Sequence, residues 1–196
     1  MKAMIMYSSA KRSGFTLIEV LITIVILAIG LLGLAGLQMT SLNNQLEAYQ
    51  RAQAVLLLDE MANRIRVNTV AARAGAYADT TAGSEHGLAD PDDEICSGLA
   101  NAALQDVCDW NAALAGSGVS LGGDNLGSIL GARGCIENVT GSADGEVIIR
   151  LTIAWQGLAP TRAPDSNCGQ GAFGDDDEFR RTASLDTVLA DLGLDP

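Results

Sequence analysis

Four cysteines and a single histidine carry the most specific chemistry in this sequence. The cysteines all follow a long apolar segment and are Cys96, Cys108, Cys135 and Cys168. An even number of cysteines beyond such a segment is typical of disulfides in an oxidising compartment. Zinc is the competing interpretation, but no two cysteines have the short spacing of a zinc site, and His86 is not near a cysteine in sequence. We therefore predict two disulfides; of the three connectivities, pairing Cys96 with Cys108 and Cys135 with Cys168 is the simplest.

A run of acids near the C-terminus is the other candidate for cation binding. Residues 174–179 read GDDDEF, and clustered carboxylates suit hard cations such as calcium. The spacing is not that of an EF-hand loop, so we interpret the run as a solvated acidic loop. The sequence also has no phosphate-binding loop, dinucleotide fingerprint or metal-ligand helix. It therefore predicts no enzymatic activity, no cofactor and no metal centre.

Charge is distributed unevenly along the chain. Residues 1–66 contain six basic and four acidic residues, whereas residues 67–196 contain six arginines and twenty acids, a net charge of −14. A domain this acidic is repelled by nucleic acid and by anionic lipid surfaces. We therefore expect no nucleic-acid partner.

An apolar segment with one acid at its head dominates the N-terminal region. Residues 20–37 are apolar apart from Thr23, and eighteen residues of helix span about 27 Å, close to the hydrocarbon thickness of a bilayer. A transmembrane anchor fits this length. A secretory signal peptide, cleaved after Ala35, is the alternative. Glu19 argues against a signal peptide and against a plain anchor, because an unpaired carboxylate in lipid costs several kcal/mol.

The residues around Glu19 resemble the leader junction of type IV prepilins and type II pseudopilins. The segment GFTLIEVLITIVILAIGLLGLAG follows a basic leader, and the resemblance makes Gly14 the last leader residue and Phe15 the first mature residue. In that family a membrane-embedded prepilin peptidase cuts before the apolar segment and methylates the new N-terminal amine. The resemblance also implies that Glu19 pairs with the amine of a neighbouring subunit and so favours assembly. A glutamate that only snorkels to the membrane interface is the alternative role.

Further along the chain the resemblance is to minor pilins of the PilV type. It rests on RAQAVLLLDEMANRIRVN, on VIIRLTIAW and on the cysteines, and Gly36 stands where many major pilins have proline. It implies a role in initiating or assembling the type IV pilus, which serves twitching motility and adhesion. The implied partners are other minor pilins, the major pilin, the prepilin peptidase and an inner-membrane assembly platform.

The same resemblance implies a location. The subunit would cross the inner membrane once, with its head in the periplasm, and would then enter the pilus fibre or its tip at the cell surface. Two alternatives remain at this point. One is a minor pseudopilin of type II secretion, of the I type; the other is a membrane-anchored periplasmic binding module that never polymerises.

Helical periodicity continues past the apolar run, and we predict one helix from Phe15 to about Arg66. Its predicted core-facing stripes comprise Leu42, Leu46, Tyr49, Gln53 and Leu56, and Val55, Leu58, Ala62 and Ile65. Glycines at every third residue from Gly30 to Gly36 predict a local bend or melting when packed helices replace lipid. They also fit a small-residue face for close helix packing, which is compatible with the first interpretation. The predicted division is a leader at 1–14, a transmembrane half of the helix at 15–37, an amphipathic half at 38–68 and a globular periplasmic head at 69–196.

The clearest strand pattern in the head is GEVIIRLTIAWQG. Its two alternating faces are Val147, Ile149, Leu151, Ile153 and Trp155 on one side, and Ile148, Arg150, Thr152, Ala154 and Gln156 on the other. Flanking strands at 134–140 and from 179 to about 188 would complete an antiparallel sheet, with Cys135 and Cys168 just before the first and third strands. The predicted fold class is therefore α+β, a long N-terminal helix packed on a small antiparallel sheet.

Overall fold

The computed structural model describes residues 14–77, 101–116, 120–121, 124–125, 129–139 and 146–189. The helices are α1 (Leu17–Val67), α2 (Thr69–Arg73) and α3 (Ala102–Leu114). The strands are β1 (Ser120–Leu121), β2 (Asp124–Asn125), β3 (Arg133–Val139), β4 (Val147–Gln156) and β5 (Arg180–Leu189). The chain divides into two compact units, Met1–Asn44 and Gln45–Pro196.

Helix α1 is a single element of 51 residues, close to the predicted bounds of Phe15 and Arg66. It runs through Gly30, Gly33 and Gly36 as continuous helix in the single subunit. A Cβ added at any of these glycines would meet nothing within 4 Å.

The buried face of α1 differs from the prediction. The side chains of Leu42, Leu46, Tyr49 and Leu56 are 53–63 % exposed, and Val55 is 50 % exposed. The buried residues of the helix are instead Gln50, Ala54, Leu58, Met61, Ala62 and Ile65, which include only three of the predicted set. Both faces of this helix are apolar, so hydropathy alone does not choose between them. The face that packs in the core carries two alanines, which permit close approach.

The main sheet is antiparallel in the order β3-β4-β5. Four residues of the inner face of β4 are buried in the core, namely Ile149, Leu151, Ile153 and Trp155. On the opposite face Thr152 and Ala154 are buried as well, and Ala154 belongs to a second cluster with Cys135, Cys168 and Phe173. The connection between β4 and β5 therefore packs over one end of the outer face. The α+β prediction is confirmed.

Helix α3 attaches to the core through Trp110, whose indole is fully buried. Its Nε1–H donates to the carbonyl oxygen of Leu57 in α1 at 3.0 Å. On β3, a Cβ added at Gly134 would lie 2.4 Å from the Trp110 ring, so only glycine permits this packing.

Candidate processing and assembly site

The predicted cleavage point lies immediately before α1. Gly14, Phe15 and Thr16 have no regular secondary structure, and Phe15 is 85 % exposed. A Cβ added at Gly14 would meet nothing within 4 Å. Exposed backbone outside a helix is the kind of segment that proteases cut most readily. The Gly14–Phe15 bond is thus presented in an accessible form.

Thr16 caps the helix, a role that the sequence reasoning missed. The backbone N–H of Glu19 donates to Thr16 Oγ1 at 3.3 Å and to the Thr16 carbonyl at 3.1 Å. Threonine three residues before glutamate is the spacing of a capping box, and this signal was available in TLIE. The first turn is therefore fixed by Thr16, while Glu19 supplies an acid near the positive end of the helix dipole.

The Glu19 side chain is exposed in the first turn of α1. Within the described parts of the chain, no lysine, arginine or histidine forms an ion pair with it. A carboxylate placed in lipid requires a counter-charge. Within those parts the isolated subunit does not supply one.

Around Glu19 the helix surface is almost wholly apolar. The side chains of Leu17, Ile18 and Leu21 are 58–92 % exposed. The helix is long and apolar enough to cross a membrane, and the apolar window has no residue buried inside the structure. The exposed side chains of Leu42, Leu46, Tyr49 and Leu56, here called the outer stripe, continue this surface beyond the predicted membrane half.

One predicted disulfide is present in the structure. Cys135 and Cys168 are bonded, with their Cα atoms 5.9 Å apart. Cys135 lies within β3, which begins at Arg133, and not just before the strand as predicted. Cys108, in α3, is also disulfide-bonded, whereas Cys96, its predicted partner, lies outside the described residues.

The acidic run at residues 174–179 is only partly solvated. Asp175 and Asp176 are exposed as predicted, but Asp177 is buried and has a φ of 55°. Both Asp177 carboxylate oxygens accept from the Gly171 N–H, at 2.8 and 2.9 Å, and one lies 3.4 Å from Arg180 Nε. The interpretation as a solvated loop is therefore wrong for Asp177, because this carboxylate orders the loop from within.

Arg180 is the partner that makes this burial possible. Its guanidinium, 3 % exposed, donates to the carbonyl oxygens of Pro164, Ser166 and Cys168. It thus holds the connection between β4 and β5 next to the disulfide. No group of three or more metal-ligating side chains occurs among the described residues. His86 lies outside them.

Two family models match the chain. The prokaryotic N-terminal methylation motif matches residues 9–35, and the type IV pilin Tt1218 model matches residues 36–113. No curated protein and no solved structure matches. With the leader motif, the apolar helix and the small antiparallel sheet, these matches show that the chain is a type IV pilin-like protein.

The pilin class is structural, and its members work with other pilus components at a membrane. The two matches cover different parts of the chain and adjoin between residues 35 and 36, inside α1. They do not identify the PilV type of minor pilin.

Proposed function

We propose that this protein is a minor type IV pilin that takes part in initiating or assembling the pilus. It is made as a prepilin, cut between Gly14 and Phe15 by prepilin peptidase and methylated on the Phe15 amine. Glu19 then pairs with the amine of a neighbouring subunit. Its partners are other minor pilins, the major pilin and an inner-membrane assembly platform, and its role is not enzymatic.

One observation supports the proposal most strongly. The first turn of α1 carries an exposed carboxylate on an otherwise apolar helix surface, with no cation beside it in the described parts of its own chain. After cleavage, the amine of Phe15 would lie about one helical turn from Glu19, and each charge alone in lipid would be uncompensated. Pairing between subunits satisfies both charges.

The exposed outer stripe extends this argument to the soluble half of α1. An apolar helix face that its own head leaves uncovered is suited to packing against helices of other subunits. A minor rather than a major role is favoured by the net charge of −14 over residues 67–196, because many identical acidic heads packed together repel one another. A subunit at low copy number, beside different neighbours, avoids that repulsion.

The processing step is tested by intact-mass spectrometry of protein purified from the native membrane. The expected mature chain begins at Phe15 and carries one methyl group. Substitution Gly14→Leu should leave uncut precursor in the membrane, because the cleavage site loses its glycine. A chain cut after Ala35, or an uncut wild-type chain, would contradict the proposal.

The cellular role is tested by deleting the gene and restoring the wild-type chain. The expected result is loss of surface fibres and twitching, both recovered on complementation, with the processed protein present in sheared fibres. A secretion defect without a motility defect would identify a pseudopilin instead. A protein confined to the inner membrane, with no effect on fibres, would identify an anchored module that does not polymerise.

A further inference from the structure

Glu47 marks the point at which α1 ceases to be an exposed helix. Residues 17–46 are all exposed, Glu47 is the first residue of the helix that is partly buried, and Gln50 is the first that is buried. The compact unit that contains the sheet begins close by, at Gln45.

The Glu47 carboxylate receives two hydrogen bonds from the strand β4–β5 region. Its Oε1 atom accepts from the backbone N–H of Leu158 at 3.1 Å and from Arg181 Nη2 at 3.3 Å. Leu158 follows the end of β4, and Arg181 is the second residue of β5. One carboxylate on the helix therefore connects to both sides of the β4–β5 connection.

The Arg181 guanidinium is also hydrogen-bonded to residues of the connection between β4 and β5. Its Nη1 donates to Thr161 Oγ1 at 2.7 Å, and its Nη2 donates to the Ala159 carbonyl at 2.6 Å. Gly157 lies against the guanidinium so closely that an added Cβ would be 2.6 Å from Arg181 Cζ. The planar guanidinium is thus positioned by the loop, and its side chain is only 18 % exposed.

We propose that Glu47 and Arg181 form a clamp that fixes the N-terminal limit of the part of α1 that packs against the sheet. Bending or unwinding of the exposed, glycine-containing part of the helix ends at this clamp and does not spread into the turns that pack on the sheet. The clamp is a conformational device of the fold. It goes beyond the proposed function and does not rest on it, because it requires no assembly partner.

Hydrogen exchange tests the clamp on the full-length chain in detergent micelles. Two variants break it by different routes: Arg181→Gln removes the charge, and Gly157→Ala displaces the guanidinium without changing any charge. The matched control is Arg150→Gln, which removes an exposed arginine paired with Asp186 at 2.8 Å on the same sheet. The amides to compare are those of residues 47–53 and those of residues 58–66.

In both clamp variants, the amides of residues 47–53 should exchange about tenfold faster, while those of 58–66 keep their protection. The control should leave both segments unchanged. Unchanged exchange at 47–53 in the folded clamp variants would overturn the proposal. So would equal acceleration in the Arg150→Gln control, or acceleration across both segments, since either result would mean general loosening of the head.

Discussion

Thr16 and Glu19 serve different needs at the same helix terminus. The Thr16 hydroxyl satisfies the Glu19 amide, which is one of the N–H groups that a helix start leaves without a partner. The Glu19 carboxylate is not needed for that bond. A first-turn acid still gains about 0.3–1 kcal/mol from the helix dipole in water. A Thr16→Ala variant therefore weakens the cap while leaving the carboxylate in place, and it is the natural control for Glu19.

Beyond the C-terminal end of α1, ionisation of the Tyr77 phenol should lower the stability of the fold at alkaline pH. Burial, and then its 2.5 Å hydrogen bond to Asp106, raises the pKa of Tyr77 to about 12 from the ordinary 10.0. The neutral phenol is the form that the fold favours. Its contribution is therefore complete below pH 10 and is lost as the pH rises from 10 towards 12.

The loss should be on the order of 2 kcal/mol in the free energy of unfolding. Denaturant titrations between pH 9 and pH 12 measure it, and Tyr77→Phe is the control because it has no proton to lose. An equal decline in Tyr77→Phe over that pH range would contradict this account.

Arg180 should contribute more to the free energy of unfolding than exposed arginines do. The variant Arg180→Met leaves the buried Asp177 carboxylate without its cation and three carbonyls without their donor. The expected loss is about 3–5 kcal/mol in the free energy of unfolding. Arg162→Met is the matched control, because Arg162 is exposed, and it should change stability by less than about 0.5 kcal/mol. Equal effects of the two variants in denaturant titrations would refute the buried role of Arg180.

Among the elements, the β4–β5 connection depends on both Arg180 and the disulfide. The Cys135–Cys168 bond has a sequence separation of 33 residues, and its removal should cost about 2–4 kcal/mol in the chain-entropy account. Thermal unfolding of the double variant Cys135→Ser/Cys168→Ser checks this value.

Non-reducing peptide mapping should also recover Cys96–Cys108. Four free thiols, or bound zinc, would contradict the prediction of an oxidising compartment.

Helix α1 and the three strands of the main sheet were predictable from sequence. Strand β4 alternates along its whole length, and its predicted neighbours differ from β3 and β5 by about one residue at each end. Helix α1 was predicted within two residues at its start. These patterns depend only on the order of neighbouring residues, so the sequence alone is enough to place the elements.

The failures lie where a choice depends on distant parts of the chain. The outer stripe and the buried stripe of α1 are both apolar, and only the sheet decides which of them it covers. Asp177 was predicted to be solvated because its neighbours are acids, but Arg180 and the Gly171 amide give it partners inside the loop. At the site, Thr16 was recognisable in TLIE as a capping residue, whereas the partner proposed for Glu19, the amine of a neighbouring subunit, is not part of the single chain.

For the whole molecule, charge and apolar surface separate into different regions. The apolar surface runs along α1, and the acidic charge is concentrated beyond residue 66. In the proposed assembly, association through the helix and repulsion between heads would act together. We expect helix contacts to provide the attraction in an assembly, and the heads to disfavour neighbours of their own kind.

In the proposed mechanism, Glu19 brings the processed subunit into the fibre. The most direct measurement is the amount of the protein in sheared fibres relative to inner membrane, quantified by mass spectrometry for wild type, Glu19→Gln and Thr16→Ala. We expect normal processing at Phe15 in all three proteins and at least about a tenfold lower ratio for Glu19→Gln, because an amide cannot neutralise a neighbour's ammonium group. Thr16→Ala should stay near wild type. A wild-type ratio for Glu19→Gln, or an equal loss for Thr16→Ala, would contradict it.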